Sequence, residues 1–169
     1  IVEEVMTLCG HEDIINCVNF SPDGQMLLTA SDDKTAKLWN ISRGEEIITL
    51  QGHAGSVESA IFFENAGSIH TITGSGDGYI KFWETVRGSC ILTFYNDEGI
   101  YCLNLSSTRN LLLASGKNGL VRMWSLKPNM FDVADINYAL ENAVGRYYHS
   151  NDSEEISIKN KLFDNFQDD

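Results

Sequence analysis

The sequence lacks any run of 18 apolar residues, so no membrane-spanning helix is expected. It also lacks a basic stretch: 12 Lys and Arg face 24 Asp and Glu, for a formal net charge of -12. Such a surface repels nucleic-acid phosphates and anionic bilayers on average. Neither nucleic acid nor membrane is therefore expected as a partner, whereas proteins or basic peptides are. The four cysteines, Cys9, Cys17, Cys90 and Cys102, include no Cys-x-x-Cys pair, which removes the usual spacing of a zinc or thioredoxin-like site. Scattered single cysteines suit a reducing compartment, hence an intracellular, cytoplasmic or nuclear protein. No phosphate-binding glycine loop and no cluster of metal-ligating side chains is present, so no cofactor and no metal is expected. The opening residues, Ile-Val-Glu-Glu-Val-Met-Thr-Leu, carry neither the basic region nor the apolar core of a secretory signal, nor an initiator methionine. The chain is thus expected to be a fragment of a longer protein or a processed product.

What the 169 residues do contain, at 43% apolar composition, is enough for about one domain. They also contain a repeat. Residues 10–40, "GHEDIINCVNFSPDGQMLLTASDDKTAKLWN", return at 52–84 as "GHAGSVESAIFFENAGSIHTITGSGDGYIKFWE", and a third copy ends in "GKNGLVRMWS" around Trp124. Self-similarity with a period of about 40–45 residues marks a repeat architecture.

Each copy reads as short strands separated by turn signals. In the first, strands are expected over Ile14–Phe20, Gln25–Ala30, Thr35–Asn40 and Glu46–Leu50, with turns at Ser21–Gly24, Asp32–Lys34 and Arg43–Gly44. In the second they fall on Val57–Phe63, Ile69–Thr73, Tyr79–Glu84 and Cys90–Phe94. Mixed apolar runs such as "MLLTA" and "LLLA" suggest strands covered on both faces. Cys17, Ser59 and Cys102 fall at matching points of the three first strands, all small, which suggests a tight contact between neighbouring units rather than a thiol active site.

Gly10-His11, Asp33 and Trp39-Asn40, with Gly52-His53, Asp77 and Trp83-Glu84 at matched spacing, resemble the WD repeats of the WD40 family. The resemblance covers residues 1–127, with repeats at about 8–50, 51–94 and 95–127, the third degenerate. It implies an all-β fold, a partial WD40 β-propeller of about three four-stranded blades, and a non-catalytic role as a protein-interaction platform. It also implies a hydrogen-bonded tetrad in each complete repeat: His11, Ser31, Asp33 and Trp39 in the first, and His53, Ser75, Asp77 and Trp83 in the second. A Ser-His-Asp set could suggest a hydrolase, but an enzyme needs one such site with an oxyanion hole. Here the set occurs twice, each time with a tryptophan, as a buried network that fixes packing would. His70 and His149 stand alone and read as ordinary residues rather than metal ligands. In the third copy Gly116 and Asn118 replace the Ser and Asp, and Tyr95 stands near the Gly-His position, so the tetrad is lost there.

The strands do not make a whole ring. "EEVMTL" at residues 3–8 matches "EEIITL" at 45–50 and "SCILTF" at 89–94, so Glu4–Leu8 is expected to be a fourth strand without its own first three. Twelve strands, equivalent to three blades, are expected, whereas rings close with about four to eight. Either the chain is completed by the remainder of a larger propeller, or two copies close as a homodimer, the strand at Glu4–Leu8 of each finishing the last blade of the other.

After Lys127-Pro128 the pattern changes. Val133, Ile136, Leu140, Val144 and Tyr147 recur at helical spacing, predicting a helix within 128–149 with Asp132 as N-cap. Residues 150–169 hold six acidic residues against two lysines and read as an acidic, flexible tail.

The chain is thus expected to act as a scaffold or adaptor in a multiprotein complex, or as the docking or regulatory segment of a larger enzyme. Partner-binding candidates lie on the turns of one face: Glu12, Asp13, Asp32, Lys34, Asp97 and Glu98, an acidic rim suited to a basic peptide.

Overall fold

The first complete repeat folds into four consecutive strands: β1 (Ile15–Phe20), β2 (Met26–Ser31), β3 (Thr35–Asn40) and β4 (Glu45–Gln51). They pair antiparallel in chain order as one sheet. This comes from a computed structural model of the chain, which describes residues 2–65, 67–106 and 110–126. The second repeat gives β5 (Val57–Asn65), β6 (Ser68–Ser75), β7 (Tyr79–Glu84) and β8 (Cys90–Tyr95) in the same order. The third gives β9 (Ile100–Ser106), β10 (Leu111–Gly116) and β11 (Val121–Ser125). Its sheet has three strands, with β11 at the edge. The chain is all-β among its described residues, in which no helix is long and apolar enough to cross a membrane.

Local chemistry sets each hairpin. At Ser-Pro-Asp-Gly the Ser21 hydroxyl donates to Asp23 at 2.6 Å and accepts the Met26 amide at 2.9 Å, while Gly24 takes the left-handed conformation (φ 70°) that closes the turn. β3 and β7 share one burial pattern, since each is the third of four strands and is covered on both faces.

The register assigns every side chain to one of two faces, because directly paired residues point the same way. In the first blade Cys17, Ala30, Ala36 and Leu50 share a face with Leu28, Leu38 and Ile48. That face packs on Val57, Ala60 and Phe62 of the second blade, forming the core between them. The second blade repeats this against the third. Gly74 lies so close to Ile100 and Leu103 that a methyl group there would meet Ile100 Cγ2 at 2.6 Å, and the Ser59 hydroxyl accepts the Leu103 amide at 3.0 Å. The small slot at Cys17 and Ser59 is therefore where one blade presses on the next: the Cys17 thiol faces the Ala60 carbonyl at 3.5 Å. Cys102, in the same slot of the third blade, is exposed.

Two expectations need correction. Glu4–Leu8 forms no strand, and the described residues form eleven strands, not twelve. A strand needs a hydrogen-bonding neighbour, and the first three strands of the blade that this segment would finish are not among the described residues. The expected helix within 128–149 and the tail at 150–169 lie outside the described residues.

Candidate functional site

Each complete blade is bound by a chain of four polar side chains that starts in its core. In the first, the Trp39 indole Nε1 donates to the Thr29 hydroxyl at 2.9 Å. Thr29 Oγ1 lies 2.7 Å from His11 Nε2, and His11 Nδ1 lies 2.6 Å from Asp33. Asp33 also accepts the Glu12 amide at 3.1 Å, tying the segment that enters the blade to the β2–β3 turn. The second blade repeats the chain through Trp83, Thr73, His53 and Asp77, with indole-to-hydroxyl and hydroxyl-to-imidazole distances both 2.8 Å. The indole N–H can only donate, so the threonine hydroxyl accepts from the tryptophan, and the carboxylate, an acceptor, takes the proton of His Nδ1; in the first blade the Thr29 hydroxyl also lies 3.4 Å from the Lys37 carbonyl.

The hydroxyl in these networks is threonine, and the expectation of Ser31 and Ser75 is corrected. Each serine sits two residues further on, at the end of its strand, where it serves the turn. Ser31 donates to the Asp13 carbonyl at 3.2 Å and accepts the Asp33 amide at 3.1 Å. Ser75 does the same for Gly55 and Asp77, both at 3.1 Å. The register gives the reason: Trp39 pairs with Leu27, and the next residue of β2 on that face is Thr29, whereas Ser31 lies beyond the reach of the indole. Hydropathy could not separate the two hydroxyls, but the cross-strand register of a hairpin closed at Asp32–Lys34 would have.

Burial alone would raise the Asp33 carboxyl. Hydrogen bonds from the Thr35 hydroxyl, His11 and the Glu12 and Thr35 amides instead hold it well below the usual carboxylate range. Asp77 is lowered too: burial opposes this, while the Tyr79 and Ala54 amides and His53 outweigh it. Burial holds the His53 imidazole below its ordinary value in spite of Asp77. A Ser-His-Asp reading as a nucleophile fails on this geometry, because the hydroxyl is committed to the indole on one side and the imidazole on the other.

Among the described residues the third blade has no such network. At the point matching Thr29 and Thr73, two residues beyond the partner of its tryptophan, stands Ala114, which has no hydroxyl. Arg122 occupies the place of Lys37 and Lys81, and it donates to the Asn96 backbone carbonyl and, at 3.1 Å, to the Asn96 side chain. Asn96 is buried, so this pair ties the segment entering the blade to β11 where a histidine and aspartate do so elsewhere.

The rim candidates lie on the side of the turns that enter the blades. Glu12, Asp13, Lys34 and Asp97 are exposed, and Asp32 and Glu98 half-buried. Asp32 accepts from Asn16 Nδ2 at 2.7 Å, and the same amide donates to the Val57 carbonyl of the next blade at 3.2 Å. Glu58, not singled out by sequence, joins them: partial burial and then the charge of Asp32 push its carboxyl up, against the pull of Lys117. Asp33 and Asp77, inside the networks, are withdrawn from this surface.

A family model for the WD domain, G-beta repeat, matches residues 2–40, 44–84 and 88–125. Each match begins with the segment before a blade rather than with its first strand, so residues 2–8 fall inside the first unit. The Candida glabrata eukaryotic translation initiation factor 3 subunit I is 30% identical over 129 residues, which are 73% of this chain and 37% of that protein. The Dictyostelium discoideum protein tipD is 34% identical over 123 residues, 72% of this chain and 20% of its own. The Schizosaccharomyces pombe probable coatomer subunit beta' is 31% identical over 118 residues, 68% and 15% respectively. The chain thus spans well under half the length of these relatives.

Proposed function

The chain belongs to the WD-repeat family, and from that premise we propose that it is a non-catalytic interaction platform within a multiprotein complex, working in a reducing intracellular compartment. Two of the relatives are named as subunits of larger factors, the initiation factor 3 and coatomer proteins, which supports a role in assembly. The four cysteines are free, which supports the compartment. The partner that the surface favours is a basic peptide or a basic protein segment.

The observation that carries the peptide reading is the meeting of Asp32 and Glu58 across the boundary between the first two blades. Burial first and then the charge of Asp32 raise the Glu58 carboxyl, so a lysine or arginine placed beside the two carboxylates relieves repulsion as well as gaining a charge-assisted hydrogen bond. Glu12 and Asp13 extend the same negative potential outward and would steer a cationic partner to it.

Binding of a fluorescent arginine- and lysine-rich peptide, followed by anisotropy at increasing salt, tests this. Affinity should fall with salt and drop by about tenfold or more when Glu12 and Asp13 are replaced by lysine, with the circular dichroism unchanged. Binding that ignores both salt and the substitutions would remove the basic-peptide reading and leave the platform without a stated partner chemistry.

A further inference from the structure

The rim changes sign from blade to blade at one repeated position. Ser31, Ser75 and Gly116 pair alike with the first strands of their blades, opposite Ile15, Val57 and Ile100, and each closes the same kind of turn. The residue that follows them is Asp32 in the first blade, Gly76 in the second and Lys117 in the third. On the first strands, the residues that follow the paired positions are Asn16, Glu58 and Tyr101. Asn16 holds Asp32 at 2.7 Å and also donates to the Val57 carbonyl of the second blade. The Lys117 ammonium stands over the Tyr101 ring, 5.9 Å from its centre, where the π face steadies it. Lys117 and Tyr101 are exposed, and Asp32 and Glu58 half-buried. Glu58 feels both charges, that of Asp32 pushing its carboxyl up and that of Lys117 pulling it down.

The two boundaries between blades also differ in what covers them. Between the first and second blades the matching positions are Asp32, Ser56 and Ser75; between the second and third they are Gly76, Gly99 and Gly116. Three side chains are thus missing from the second seam. A methyl group on Gly99 would meet the Gly76 carbonyl at 3.0 Å, and one on Gly116 would meet the Gly99 carbonyl at 2.6 Å, so the backbones lie close together there. Above Gly76 there is room: a methyl group would come no nearer than 3.8 Å to Glu58 Oε1 or the Ser56 carbonyl. The seam is a strip of bare backbone with carboxylates toward the first blade and an ammonium on the third.

Resting on the basic-peptide reading, we infer that the partner segment is bipolar: its lysine or arginine seats against Asp32 and Glu58, an acidic residue further along it reaches Lys117, and the backbone between them crosses the seam at Gly76 and Gly99. A wholly basic segment would set like charges together at Lys117, which costs binding; an acidic residue there turns the repulsion into attraction. Glycine lets a ligand's backbone come close. Because the opposite charges stand on successive blades, the segment can satisfy both in only one chain direction.

The test is anisotropy of fluorescent Gly-Ser peptides on the 169-residue chain, each with a pair of arginines and one glutamate moved stepwise through the positions on either side. The glutamate should tighten binding about threefold on one side of the arginines, the scale of one exposed ion pair, and weaken it on the other. Lys117→Glu should turn that gain into a loss while the peptide with arginines alone binds at least as well. Gly76→Asp, where the backbone is not left-handed and a side chain has room, should abolish the gain and keep the arginine-only peptide bound. Circular dichroism should show both variants folded. A glutamate that weakens binding at every position, as a net charge of -12 alone would make it do, overturns the bipolar partner and leaves the basic-peptide reading standing. So does a gain that survives either substitution. Failure of every peptide to bind, the arginine-only one included, overturns both.

Discussion

Arg122 donates from one guanidinium nitrogen to both the backbone carbonyl and the side-chain oxygen of the buried Asn96. The lysines at the matching points of the other blades turn instead toward the fourth strand, Lys37 to Glu46 and Thr49, Lys81 to Thr93. One register position thus serves two ends: it clamps the outer strand where that strand exists, and anchors the incoming segment where the His-Asp network is absent.

Arg122→Lys should therefore loosen the third blade alone. A lysine keeps the charge but loses the planar, two-acceptor grip on Asn96, and Asn96→Ala removes the other side. A loss of about 1–2 kcal/mol is expected for either. Amide exchange should rise in β9–β11 and at residues 95–99, while β1–β4 keep their protection.

Thr73→Val should cost more than Ser75→Ala, by about 1–2 kcal/mol in chemical denaturation. The first leaves both the Trp83 indole N–H and the His53 Nε2 without their shared partner in the core. The second strips a turn of one hydroxyl that served Gly55 and Asp77. Equal costs would mean that the threonine is not the hub of the network.

Acid should destabilise the protein in two stages. His53 has a folded-state value below its ordinary 6.5, so the unfolded chain takes up a proton first as pH falls through 6.5, and stability declines from there. Asp33 and Asp77 are both held below 3.8, so their contribution is present above 3.8 and is lost as pH falls through their lower folded values. Denaturation midpoints measured across pH should fall in both windows, and His53→Gln should flatten the upper one.

Gly74→Ala should separate the second and third blades without disturbing any turn. Its backbone is not left-handed, so only the close approach of Ile100 and Leu103 resists the added methyl. Overpacking of this kind costs about 1–3 kcal/mol. Gly24→Ala tests the opposite case, since nothing stands near Gly24 but its φ is 70°; a cost of about 1 kcal/mol is expected there.

The sequence by itself determined the repeat, and with it the hairpins. Asp-Gly, Asp-Lys and Arg-Gly turns between alternating apolar runs are local signals, and they placed β1–β8 to within one or two residues at each end because each strand pairs with its neighbour in the chain. His11, Asp33 and Trp39 were legible for the same reason, their spacing recurring at His53, Asp77 and Trp83. What tertiary structure decided was which hydroxyl stands between them. Thr29 and Ser31 are alike in composition and lie on the same face of one strand, and only the pairing of Leu27 with Trp39 brings Thr29, not Ser31, to the indole. Structure likewise decided that residues 3–8 form no strand, although their sequence repeats that of β4. A strand's backbone bonds come from a neighbour, and a pattern can specify the side chains of a strand without supplying the sheet that it joins.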